Sequence, residues 1–199
     1  STPSPQTSAW SAEDEDSVDE NLHSTYRRCI GKLQWLVPIR PDIAFTVKEL
    51  ARRLNEPRVQ DVKRLKHLLR YIRGTLSYVL ALSPNVTLDP SVKNDFGISS
   101  YVDANWAGCP LTRKSTSGTL TSILGCPVTF TSKTQQVLAL SSAESELYAV
   151  GSGVAHALHI RSILEESKLV SRSCIDVSTD SSAGKSIAAS HGTSKKTRH

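Results

Sequence analysis

Leu140-Ser141-Ser142-Ala143-Glu144-Ser145-Glu146-Leu147-Tyr148-Ala149 is the stretch on which the fold turns. Ser141 and Glu144 stand three residues apart in an S-x-x-E arrangement, which lets each side chain serve an exposed N–H at the start of a helix. Val150, Val154, Leu158 and Leu164 then continue an apolar stripe, so a long helix is expected from Ser141 or Ser142 onward. The surrounding chain has another rhythm. Short β-rich runs at Tyr78 to Leu82, Ile98 to Asp103, Gly118 to Leu124 and Val128 to Thr131 precede the helix, and Cys174 to Thr179 follows it. Ser83-Pro84-Asn85 and Gly125-Cys126-Pro127 read as turns between them. Strands, a helix and a further strand predict an α/β fold with a mixed sheet.

Before Gly74 the period is close to 3.6. Asp42 in Arg40-Pro41-Asp42 is placed to cap a helix in which Ile43, Val47, Leu50 and Leu54 form one buried stripe. Pro57 ends it. A second amphipathic run then puts Val62, Leu65, Leu68, Leu69 and Ile72 inside, with Lys63, Lys66, Arg70 and Arg73 outside and Gly74 as the stop. With a helical stretch around Ile30, Leu33 and Leu36, this predicts a small helical unit over residues 25–76, followed by the sheet domain over 77–199. Residues 1–24 hold Glu13, Asp14, Glu15, Asp16, Asp19 and Glu20 and no Lys or Arg, and read as an acidic disordered leader. The sign then reverses, from Arg27 to Arg73, giving a basic surface that would attract an anion.

Composition narrows the function. The net charge of +5 permits a nucleic-acid partner without demanding one. Apolar runs fall short of the roughly 20 residues that span a bilayer, so no membrane role is expected. Cys29, Cys109, Cys126 and Cys174 are far apart and form no C-x-x-C pair, which suggests neither a zinc site nor a disulfide framework but reduced, intracellular thiols.

Three acids are candidates for chemistry. Asp103 ends a strand, Glu146 lies in the first turns of the long helix, and Asp180 lies at the exit of the last strand. Hard cations such as Mg²⁺ prefer oxygen ligands, and phosphodiester hydrolysis needs charge neutralised on the attacking and leaving oxygens, a need that converging carboxylates meet. Glu144 competes with Glu146, but two residues turn about 200° around a helix, so both cannot face one metal. No Tyr-x-Asp-Asp signature is present, so polymerase activity is not expected of this chain.

Tyr101-Val-Asp-Ala-Asn-Trp-Ala-Gly108, then Arg113-Lys114-Ser115-Thr116-Ser117-Gly118, then Leu140 to Glu146 follow one another in an order and at intervals that resemble the RNase H region of copia-type retrotransposons. Upstream, Tyr26-Arg27-Arg28, Gly31-Lys32-Leu33, Arg40-Pro41-Asp42-Ile43-Ala44 and Leu69 to Thr75 resemble the segment between the polymerase and RNase H domains. The resemblance covers residues 25–199. It implies an RNase H-like mixed sheet with flanking helices, and hydrolysis of the RNA strand of RNA/DNA hybrids during reverse transcription. It further implies that Asp103, Glu146 and Asp180 are the catalytic, metal-binding carboxylates of a two-ion Mg²⁺ site, with Mn²⁺ as a substitute. Glu146 is preferred to Glu144 because Glu146-Leu147-Tyr148-Ala149 resembles the family's helical motif. Ser141, Ser142, Arg113 and Lys114 become expected nucleic-acid contacts, with exposed N–H groups at the helix start suited to a phosphate. The remainder of the Pol polyprotein, including its reverse transcriptase, is the implied protein partner, and a cytoplasmic virus-like particle or the nucleus the implied location.

The sequence also departs from the family pattern. Asn105 stands where many relatives carry a second acid and Ser181 where Asn often follows the catalytic Asp. His199 falls before the place where a fourth carboxylate would come, which predicts an incomplete copy that cleaves hybrids weakly or not at all, since three carboxylates hold one ion more readily than two ions. The alternative reading is a catalytically inactive remnant that at most binds nucleic acid. An integrase-like nuclease fits less well, because its acids run Asp, Asp, Glu and these run Asp, Glu, Asp.

Overall fold

In the computed structural model, residues 2–4, 16–83, 96–109, 112–170 and 173–189 are described. They belong to two compact units, Ser1–Leu80 and Ala81–His199.

The first unit is helical: α1 spans Glu20–Leu36, α2 Ala44–Ala51 and α3 Val59–Gly74. Helix α1 begins inside the stretch expected to be a disordered leader, because the Asp19 carboxylate accepts from the Leu22 N–H at 2.8 Å and caps it. The acids Glu13, Asp14 and Glu15 lie outside the described residues. Tyr26, Ile30 and Leu33 from α1, Val47 and Leu50 from α2, and Val62, Leu65 and Leu68 from α3 form one core. The Tyr26 hydroxyl donates to the Leu50 carbonyl at 2.7 Å, so its polar tip is satisfied within that core. Leu69, expected inside, is exposed, and Tyr71 takes the buried position instead.

Asp42 does not cap α2, which starts at Ala44 without a side-chain cap. Its carboxylate accepts instead from Arg40 Nε at 2.9 Å, Arg40 Nη2 at 2.7 Å and the Tyr71 hydroxyl at 2.8 Å. A forked, charge-assisted pair outcompetes a single bond to a backbone N–H. Arg40 reaches on to the Thr75 carbonyl and hydroxyl, fastening the end of α3.

The second unit is a four-stranded mixed sheet, β1 Phe96–Asn105, β2 Thr116–Ile123, β3 Cys126–Thr134 and β4 Ser173–Thr179, in the order β3-β2-β1-β4. β1 pairs antiparallel with β2 and parallel with β4, and β2 pairs antiparallel with β3. Helix α4, Ser142–Glu166, crosses between β3 and β4, and α5, Ser182–Ala189, follows β4. This is an RNase H-like arrangement of a mixed sheet with flanking helices. The expected strand at Tyr78 to Leu82 is not one: these residues are irregular and outside the sheet. Among the described residues, their β-rich composition finds no strand to pair with.

The β2–β3 turn falls at Leu124 and Gly125, whose φ values of 52° and 79° are both left-handed, as a two-residue hairpin requires. Cys126 and Pro127 therefore open β3 rather than complete the turn. Pro127 is tolerated there because, among the described residues, β3 is an edge strand with no neighbour on its outer side.

Alternation along β1 turns Ile98, Ser100 and Val102 toward α4 and leaves Tyr101 exposed on the opposite face, while Asp103, near the strand's end, is exposed with its carboxylate close to the first turns of α4. Helix and strand touch at Gly153, where an added Cβ would overlap Val102 Cγ1 and come within 2.9 Å of Ser100 Oγ. Gly153→Ala is therefore expected to destabilise the protein by about 1–3 kcal/mol through overpacking, outweighing the gain in helix propensity. Gly151→Ala, where a Cβ meets nothing within 4 Å, should instead stabilise by about 0.5–1 kcal/mol. Thermal melts of the two variants moving in opposite directions would bear this out, and a rise for both would show that α4 does not bear on β1 at Gly153.

Candidate metal centre

Three elements bring the three acids to one end of the sheet. Asp103 stands near the C-terminal end of β1, and Asp180 immediately follows β4, which runs parallel to it. Parallel neighbours end on the same side, so the two aspartates emerge together. Glu146 enters from the first turns of α4. One carboxylate oxygen from each of the three lies within 4.8 Å of the others.

The helix start decides which glutamate faces the aspartates. Ser141 caps α4 by accepting from the Glu144 N–H at 3.1 Å. Glu144 turns back to accept from the Leu140 N–H at 2.7 Å and from the Tyr148 hydroxyl at 3.2 Å. The capping box closes one residue earlier than its usual form, on Leu140 rather than on Ser141. With Glu144 so occupied, Glu146 is the acid on the inner side.

Asp103 and Asp180 are exposed, whereas Glu146 is only 8% exposed. Burial pushes the Glu146 carboxyl above the ordinary carboxylate range, and the negative charges of Asp103 and then Asp180 push it further, while a hydrogen bond from the Ala104 backbone works the other way. Its Oε2 is buried with no hydrogen-bond partner among the described residues. A buried carboxylate oxygen without a donor, on a side chain grouped with two further carboxylates, lacks positive charge. An all-oxygen, all-anionic donor set suits a hard divalent cation, and the orphaned oxygen fits one.

The other expected residues are spread around this end. Ser142 is exposed at the first turn of α4, and the Ser141 hydroxyl is already engaged as the cap. Arg113, in a left-handed conformation with φ 54°, and Lys114 lie in the loop joining β1 to β2 at the carboxylate end. Asn105 is the exposed last residue of β1, with its side chain where a Cβ on Gly108 would sit. Ser181 accepts from the Gly184 N–H at 3.0 Å and so caps α5. Two residues given no role from the sequence, Trp106 within the quoted motif and Gln135 outside any motif, also shape the site. The Trp106 indole N–H donates to the Ala139 carbonyl at 3.1 Å, fixing the segment before α4 to the end of β1. Gln135 bridges β2 and α4, donating to Ser117 Oγ and to the Ser145 carbonyl, each at 2.9 Å. It stands in the polar run Thr134-Gln135-Gln136, and no periodicity distinguishes it from its neighbour.

No known family profile matches the chain. No solved structure matches it either. Among curated proteins, it is 36% identical over 128 residues to an uncharacterized mitochondrial protein of Arabidopsis thaliana, covering 64% of this chain and 50% of that protein. It is 32% identical over 141 residues to the retrovirus-related Pol polyprotein from transposon RE1 of the same plant, covering 71% of this chain and 9% of the polyprotein. The Pol polyproteins from transposons RE2 and TNT 1-94 match a similar length at 31% and 32%. A secreted RxLR effector protein of Plasmopara viticola is 33% identical over 134 residues, 67% of this chain and 89% of that protein. The chain thus spans half of the first relative and about a tenth of the polyproteins. An RNase H-like sheet, an ordered set of motifs and transposon polyproteins that match at about a third identity agree on one origin: the chain belongs to the copia-type retrotransposon Pol polyprotein family.

Proposed function

We propose that the sheet unit is the RNase H of this Pol polyprotein, hydrolysing the RNA strand of RNA/DNA hybrids with divalent metal. The observation that carries the reading is the cradle formed by Asp103, Glu146 and Asp180, with the orphaned Glu146 Oε2 at its buried side. Mg²⁺ held there would supply Lewis-acid neutralisation of phosphate charge and a more acidic water. Glu146 forms the buried wall, and its raised affinity for protons marks a carboxylate that gains from a cation. Asp103 and Asp180 leave the opposite side open, where a nucleic-acid strand has access. Ser142 at the start of α4 and Arg113 and Lys114 in the neighbouring loop are the phosphate contacts in this reading, since helix N-termini and cationic side chains both favour anions. The RNA strand is distinguished by its 2′-hydroxyl.

The test is incubation of the chain with labelled RNA annealed to DNA, in Mg²⁺ or Mn²⁺, with EDTA controls and single-stranded RNA alongside. RNA-strand scission confined to the hybrid and abolished by EDTA is expected. Scission that survives EDTA would discard the reading. Mn²⁺ binding without any scission would favour the inactive remnant.

A further inference from the structure

We infer that Gln135 is a positioning residue of the metal centre: its side-chain amide closes a ring of contacts that sets the turn of α4 bearing Glu146 against the strand bearing Asp103. The inference rests on the metal-centre reading above. The ring is followed residue by residue. The Glu146 carboxylate lies within 4.8 Å of that of Asp103, whose neighbour in β1 is Ala104. Ala104 stands opposite Ser117 in the β1–β2 register. Gln135 Nε2 donates to Ser117 Oγ and to the Ser145 carbonyl, and Ser145 leads covalently back to Glu146. Gln135 is itself held, since its N–H donates to the Ser115 carbonyl at 2.8 Å, and the residue is 8% exposed.

Two features separate positioning from simple packing. The Ser145 carbonyl lies inside α4, where the helix ladder already provides a donor, so the bond from Gln135 is not needed to satisfy that oxygen. What it adds is a fixed distance between helix and sheet. In addition, Gln135 Oε1 is buried with no partner among the described residues, a condition that is destabilising. Rotating the amide does not relieve it, because the Ser145 carbonyl can only accept and must face the NH₂. An apolar side chain of similar length would escape that cost, so the amide is destabilising in part and is accounted for by its two donated bonds.

Isothermal titration of Mn²⁺ into the full chain tests this, with thermal melts of each metal-free variant alongside. Gln135→Met keeps the length and removes both donors; its melting temperature should stay close to wild type while Mn²⁺ affinity falls about 10- to 100-fold, the usual effect of losing a group that orients a metal ligand. Gln135→Glu should also weaken binding despite its added carboxylate, whereas tighter binding would show that nearby charge matters and orientation does not. Ser117→Ala cuts the strand end of the ring without touching Gln135 and should weaken binding as well, which keeps the test decisive if Gln135→Met fails to fold. Wild-type affinity in a folded Gln135→Met or in Ser117→Ala overturns the inference. Failure of the wild-type chain itself to bind Mn²⁺ would instead overturn the metal-centre reading.

Discussion

Asp103→Asn is expected to reduce metal-dependent cleavage of hybrid RNA to the level of the EDTA control, a loss of about 10³-fold or more where the wild-type rate permits its measurement. Lewis-acid stabilisation by a bound ion is worth several kcal/mol, and each 1.36 kcal/mol is a factor of ten in rate. Asn keeps the shape of Asp and removes its charge, so β1, which places residue 103 opposite Gly118, should be undisturbed. Because the negative charge of Asp103 is one of the influences holding the Glu146 carboxyl above its ordinary range, the substitution should also move Glu146 back toward that range. Titration of a ¹³C-labelled Glu146 carboxyl in wild type and variant reads this independently of turnover. Cleavage that persists in a folded Asp103→Asn protein would remove Asp103 from the site.

Glu146→Gln should produce opposite effects on binding and stability. The folded-state pKa of Glu146 lies above its ordinary value, chiefly through burial and then through Asp103 and Asp180. The native state therefore binds this proton more tightly than the unfolded state does. Its contribution to stability is fully present below the unfolded pKa and is lost as pH rises through the folded one. At neutral pH, well above the ordinary carboxylate value, an acid at position 146 of the metal-free protein is a liability. A neutral Gln of the same shape relieves it, and a rise of about 4 °C in the melting temperature is expected at pH 7, with the advantage shrinking toward pH 4. Binding should move the other way: without the buried carboxylate, Mn²⁺ affinity should fall by at least about 100-fold, and the stabilisation that Mn²⁺ gives wild type by mass action should vanish. A Gln variant less stable than wild type at pH 7 without metal would show that Glu146 is held by contacts rather than strained by its neighbours.

The sequence by itself determined those elements whose causes are local. The S-x-x-E start of α4 is legible because capping involves residues within a few positions of one another, but the stripe of Val150, Val154, Leu158 and Leu164 is not its buried face: the sheet admits only the small Ala149, Gly153 and Ala157, and Leu158 is exposed. Four of the five expected strands exist, and the order of Asp103, Glu146 and Asp180 along them could be read directly. Tertiary structure decided what depends on partners distant in the chain. Asp42 carries a proper capping residue type, yet Arg40 and Tyr71, the latter 29 positions away, claim its carboxylate. Tyr78 to Leu82 has strand composition but, among the described residues, no strand beside it, and a strand without a neighbour leaves its backbone groups to solvent. The contact of α4 with β1 at Gly153, the burial that raises Glu146 and the reach of Gln135 from β2 to α4 join residues 10 to 53 positions apart. Local pattern placed acids on a strand end, a helix start and another strand end; only the parallel pairing of β4 with β1 and the packing of α4 across them brought the three within one ion's reach.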